Sequence, residues 1–139
     1  VDAQGIIYQA DTKFSGGQTY TTASAIDGTT DDVLYQSERF GDFSYNISLP
    51  NGSYKVVLKF AEIYAHLYGS DSRVFDVKIE GQTVIKNLDL FAKVGGKYKA
   101  YDVTLPVNLT DGVLNMEFKS VVGGAKVSAI LVQRLASFP

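Results

Sequence analysis

Almost throughout the chain, apolar and polar residues alternate with a period of two, and this rhythm limits the fold more than any other property of the sequence. Phe43, Tyr45, Ile47 and Leu49 alternate with Ser44, Asn46 and Ser48, which predicts a half-buried strand. Pro50-Asn51-Gly52 follows as a turn, with Asn-Gly suited to a tight hairpin. From Ser53 to Ile63, Tyr54, Val56, Leu58 and Phe60 share one face, and Lys55, Val57 and Lys59 the other. Arg73–Glu80 repeats the pattern, with Phe75, Val77 and Ile79 inward. Further strands are expected over Gly5–Ala10, Thr83–Ile85, Tyr98–Val107, Val113–Ser120 and Val127–Leu135. Leu88–Phe91 is a short apolar piece, and no amphipathic helix stands out. Closely spaced strands without helices predict an all-β fold, an antiparallel β-sandwich or jelly roll.

Three stretches break the rhythm. Asp11–Asp32 is rich in Gly, Ser, Thr and Asp and reads as a long loop, a kind of segment that often carries function. Tyr64–Ser72 and Gly123-Gly124-Ala125 are the other two.

Composition narrows the chemistry. The 139 residues predict a single domain over 1–139, long enough to build its own core. With no cysteine, a disulfide scaffold, a cysteine zinc site and a thiol nucleophile are excluded. Thirteen basic against fifteen acidic residues leave a net charge of −2, which is no footprint for nucleic acid. No apolar run is long enough to span a bilayer. The start at Val1, with no signal segment, fits a processed or excised domain. His66 is the one histidine, so multi-histidine metal sites are excluded. Tryptophan is absent, so a sugar would have to stack on one of the nine tyrosines or eight phenylalanines.

Tyr20, Tyr35, Tyr64 and Tyr68 fall in or beside the irregular segments, where each either pins a loop or meets a ligand; as a group they point to ligand contact. His66, also in a loop, is either solvated or a donor to a ligand hydroxyl. Glu38 and Glu62 form the one carboxylate pair to weigh for acid–base work on a glycoside. Arg39 and Arg73 are available to Glu62, however, and a buried Glu–Arg pair at a sheet end is the commoner arrangement. The aspartates at 27, 31 and 32 do not make a twelve-residue calcium loop. Walker, dinucleotide-binding and Gly-X-Ser-X-Gly motifs are absent.

Four segments together resemble one family. Leu34-Tyr35-Gln36-Ser37-Glu38-Arg39-Phe40 is similar to the LYQTERY segment of malectin-type domains, and Leu58-Lys59-Phe60-Ala61-Glu62-Ile63-Tyr64 to their LKFAEVY. Arg73-Val74-Phe75-Asp76-Val77 resembles RVFDV, and Lys126-Val127-Ser128-Ala129-Ile130 resembles KVSAI. Val1-Asp2-Ala3 and the Gly16–Tyr20 loop also fit, so the likeness covers the chain in order. The resemblance implies a β-sandwich that binds carbohydrate through loop aromatics. Carried over by position, Tyr20 and Tyr64 match two family tyrosines, and Phe40 keeps a ring where the family has a third. Ala65 stands at a family aromatic, and the family aspartate before the last strand falls near Gly123-Gly124. His66 and Tyr68 lie close enough in sequence to substitute for the ring missing at Ala65.

The resulting expectation is a non-catalytic carbohydrate-binding module for a glucan or related oligosaccharide, with Tyr20, Phe40, Tyr64, His66 and Tyr68 as its contacts. Such a module would be an excised accessory of a glycoside hydrolase or other secreted or cell-surface protein, tethered to a catalytic or surface domain. No cofactor is implied; a structural calcium is compatible with such a fold, and the sequence does not locate one. The alternative is a structural or protein-interaction module that keeps the fold without the sugar site.

Overall fold

The computed structural model of the chain describes residues 5, 7–65, 69 and 72–135. In chain order the elements are β1 (Phe14–Thr21), α1 (Asp32–Tyr35), β2 (Ser37–Ser48), β3 (Gly52–Phe60), β4 (Val74–Ile79) and β5 (Gln82–Leu88). There follow α2 (Leu90–Val94), β6 (Tyr101–Leu109), β7 (Val113–Val122), β8 (Ala125–Val127) and β9 (Ala129–Arg134). The larger sheet runs β1-β2-β7-β4-β5, with β8 also paired to β2; the smaller runs β6-β3-β9. Every strand pairing is antiparallel.

The alternation predicted from sequence packs the two sheets together. Phe43, Tyr45, Phe75, Val77, Ile79, Leu114, Met116 and Phe118 come from the larger sheet, and Tyr54, Val56, Leu58 and Phe60 from the smaller. Within the larger sheet Phe43 stacks on Phe118 at 4.6 Å. Phe60 meets Phe75 across the interface at 5.6 Å. Each such ring withdrawn from water contributes about 1.5–3 kcal/mol, before its entropy cost.

Several expectations need correction. Among the described residues of Gly5–Ala10 no strand forms. The long loop expected over Asp11–Asp32 contains β1. This strand buries almost nothing on either face, so no alternation betrays it. It joins the sheet through backbone pairing with β2, with a register shift between Gly16 and Gln18. Gly17 makes that bulge feasible: its φ is +77°, and a Cβ there would lie 2.9 Å from the Phe40 carbonyl oxygen. Leu88–Phe91 divides between the end of β5 and α2, a short helix capped by the Asp89 carboxylate accepting from the Ala92 N–H at 3.1 Å.

The strand expected over Val127–Leu135 is two strands in two sheets. β8 pairs with β2, and β9 pairs with β3. Ser128 is the crossing point, its N–H donating to the Lys59 carbonyl at 2.8 Å. Lys126 and Ala129 are therefore three residues apart in sequence but belong to opposite layers, and the crossing pins the layers together at one end.

Candidate functional site

Opposed residues of an antiparallel pair share a face. Tyr20 on β1 faces Glu38 on β2, and Phe40, two residues further along β2, faces Lys126 on β8. Tyr20, Glu38, Phe40 and Lys126 thus share one face at this end of the larger sheet. Beyond β3 the chain continues through Ala61, Glu62 and Ile63, all buried, to Tyr64, which is 41% exposed. The Tyr64 ring meets Tyr20 edge-to-face at 5.7 Å, with 76° between the planes.

A second apolar cluster underlies this pair. Ile26, Tyr35, Ala61 and Ile63 are buried, with Tyr20, Leu34, Tyr98 and Ala100 packed against them. The Tyr98 N–H donates to the Glu62 carbonyl, and its own carbonyl accepts from the Asp27 N–H, both at 2.8 Å. Tyr98 holds a φ of +57°, an uncommon conformation for a non-glycine residue that these two bonds stabilise. Sequence reasoning put Tyr98 at a strand start and missed its place against the cluster of Ile26, Tyr35, Ala61 and Ile63.

Buried charges lie next to the rings. The Lys126 ammonium, wholly enclosed, donates to Glu38 Oε1 at 2.6 Å and to Glu62 Oε1 at 2.9 Å. Arg73 Nε donates to Glu62 Oε2 at 2.6 Å, and Arg73 Nη1 to the Gly124 carbonyl at 2.8 Å. Two carboxylates thus meet two cations, and buried charge is tolerable only when paired in this way. Burial pushes the Glu38 carboxyl above its ordinary value, with the Lys126 ammonium opposing the shift. Glu38 and Glu62, weighed as an acid–base pair, are both committed to cations. The Glu62–Arg73 pair forms as expected, whereas Arg39 goes to Asp11 at 2.8 Å with its guanidinium over the Phe14 ring. The sequence reading missed Lys126, since a lysine on a strand ordinarily faces solvent.

Of the five residues expected to contact sugar, Tyr20 and Tyr64 touch, and Phe40 is a half-buried diagonal neighbour of Tyr20 on the same sheet face. His66 and Tyr68 lie outside the described residues. Tyr35 is removed from the candidates. It is buried, its hydroxyl donates to Asp102, and both desolvation and that carboxylate push its pKa above the ordinary tyrosine value. Ala65 is exposed, and its carbonyl accepts from Lys97 Nζ at 2.8 Å. Gly123 cannot take the family aspartate: its φ is +79°, and a Cβ would sit 2.6 Å from the Ser72 carbonyl oxygen. At Gly124 a Cβ would lie 3.3 Å from Arg73 Nη1.

The rings form a surface rather than a cavity. A cleft of about 660 Å³ is lined among others by Glu38, Arg39, Tyr45, Ile47, Ile130 and Val132, and none of Tyr20, Phe40 and Tyr64 lines it. Among the described residues, no three or more His, Cys, Asp or Glu side chains converge on a metal site, and no helix is long and apolar enough to cross a membrane.

Fold and site together define an antiparallel β-sandwich module with an aromatic surface at one end. The family model described as Malectin domain matches residues 1–132, and the chain belongs to that family. It is a non-catalytic domain family. Malectin-B of Xenopus laevis is 37% identical over 106 residues, covering 74% of this chain and 37% of that protein. Malectin of Homo sapiens is 38% identical over 90 residues, covering 63% of this chain and 30% of that protein. Receptor-like protein 4 of Arabidopsis thaliana is 32% identical over 130 residues, covering 88% and 21%. The chain therefore spans little more than a third of the Xenopus malectin and less of the other two.

Among solved structures, a Bacteroides uniformis beta-glucuronidase aligns with a TM-score of 0.80 at 19% identity, over 97% of this chain and 16% of that one. The plant receptor FER, in a complex with the plant peptide RALF23 and LLG2, aligns at 0.79 and 17% identity, over 90% and 41%. At these identities the likeness is one of fold.

Proposed function

We propose that the domain is a non-catalytic carbohydrate-binding module whose sugar lies against Tyr64, Tyr20 and Phe40. The observation that carries this reading is the Tyr20–Tyr64 edge-to-face pair, which holds one broadly exposed ring in a fixed orientation on a buried base. A pyranose has an apolar face that suits such a ring, while hydroxyls and backbone groups around it supply direction. The substrate class that fits is a glucan or related oligosaccharide, with His66 and Tyr68 as further contacts. A shallow surface binds modestly, on the order of micromolar to millimolar. In this reading the domain is an extracellular or cell-surface accessory, tethered to a catalytic or surface domain of a longer protein. The structural likeness to one segment of a beta-glucuronidase supports an accessory role.

Screening the domain against soluble α-glucans, β-glucans and galactose- and mannose-based polymers, with and without a chelator, tests this. A saturable hit is expected among the glucans. A folded sample silent to every polymer would refute the reading.

A second reading has an observation of its own. Gly123 and Gly124 offer no side chain to sugar hydroxyls where the family has an aspartate, and the similarly folded FER was solved in complex with a peptide. A protein-interaction module follows if the domain binds a partner protein and no glycan.

A further inference from the structure

We propose that Lys126 is the positioning residue of the aromatic surface: its ammonium ties the strand carrying Tyr20's partner to the segment carrying Tyr64, and so sets the two rings against each other. Three relationships converge on this one side chain. Its Nζ bonds Glu38, the cross-strand partner of Tyr20. The same Nζ bonds Glu62 Oε1, the atom that also accepts from the Tyr64 N–H at 3.3 Å. Lys126 itself is the cross-strand partner of Phe40.

Glu38 belongs to the larger sheet, and Glu62 lies two residues beyond the end of the smaller-sheet strand β3. The ammonium therefore bridges the two layers, with a third, longer contact to the Ala61 carbonyl at 3.5 Å. Arg73 holds the opposite oxygen of Glu62, so that carboxylate is fixed from both sides. A side chain enclosed on all sides and bonded to two carboxylates is restrained by both, and that restraint passes to the groups it holds. An apolar residue of the same length would fill the space but could not set the separation of the two carboxylates. As it bears on sugar binding, the inference rests on the reading above; as it bears on ring geometry, it stands without it.

The test uses the whole domain carrying Glu38→Gln with Lys126→Met. This pair of changes removes one anion and one cation together and leaves the Glu62–Arg73 pair in place. Nuclear Overhauser effects between the Tyr20 and Tyr64 rings are recorded without ligand, with Phe60–Phe75 effects as the control for an intact core. Affinity for a soluble α-glucan and a soluble β-glucan is measured in parallel.

The expected result is an intact core, disappearance of the Tyr20–Tyr64 effects, and affinity at least tenfold weaker for the glucan that binds wild type. Tyr20–Tyr64 effects that persist in the folded double variant overturn the proposal. Separated rings at unchanged affinity overturn its bearing on binding. If wild type binds neither glucan, the sugar reading loses support while the ring-to-ring effects still decide the role of Lys126. Should the double variant not fold, the wild-type ammonium resonance decides instead: slow exchange with water and proximity to the Glu38 and Glu62 methylenes support the bridge, and exchange typical of a surface lysine overturns it.

Discussion

Arg73 Nε donates to Glu62 Oε2 at 2.6 Å, and both side chains are buried at the end of the sandwich where β3 has just ended and β4 is about to begin. The same guanidinium reaches the Gly124 carbonyl, so one residue joins the segment after β3, the start of β4 and the turn before β8. Removing either partner leaves an uncompensated charge in the interior. Arg73→Met and Glu62→Gln are each expected to destabilise the domain by about 3–5 kcal/mol, read by urea denaturation. A loss below about 1 kcal/mol would show that water reaches the pair.

Glu38 makes a pH prediction. Its native pKa is raised from 4.5 by burial, so the folded domain holds that proton more tightly than the unfolded chain does. Its titration therefore lowers stability as pH rises from 4.5 through the raised native value, with no further change above it. The stability of wild type minus that of Glu38→Gln should fall across this window and be flat beyond it. Denaturation curves collected on both proteins through the window measure the difference. A difference that rises with pH would mean that the lysine bridge outweighs desolvation.

The two glycines before β8 should behave differently. A methyl group at Gly123 meets the Ser72 backbone oxygen and a positive φ, so Gly123→Ala is expected to cost at least about 2 kcal/mol. At Gly124 φ is not positive, and the nearest atom is the end of the Arg73 side chain. Gly124→Ala should cost about 1 kcal/mol. Thermal unfolding of the two variants checks the order, and a larger loss at Gly124 would contradict the close approach described for Gly123.

The half-buried strands were legible because each shows the core one set of side chains: Phe43 and Tyr45, Phe75 and Val77, and Leu114 and Met116 all lie where period two puts them. β1 was not, because an edge strand exposed along almost its whole length leaves no alternating hydrophobic signature. The sheet change at Ser128 was hidden because both sides of it are extended and apolar, and nothing local marks the crossing. Tyr35 reads like Tyr20 in sequence, but only tertiary packing buries it against Ala61 and Ile63. The pairing of Glu62 with an arginine was readable from composition. The lysine between Glu38 and Glu62 was not, since its partners are 88 and 64 positions away.

If the exposed ring beside Tyr20 receives a sugar, calorimetric titration of wild type and Tyr64→Ala with a glucan that binds wild type will separate the two proteins. Tyr64 is broadly exposed, so its truncation should leave the melting temperature nearly unchanged while weakening affinity at least tenfold, about 1.4 kcal/mol. Equal affinity in the two proteins would place any sugar elsewhere on the domain and rule out the Tyr20–Tyr64 surface as its site.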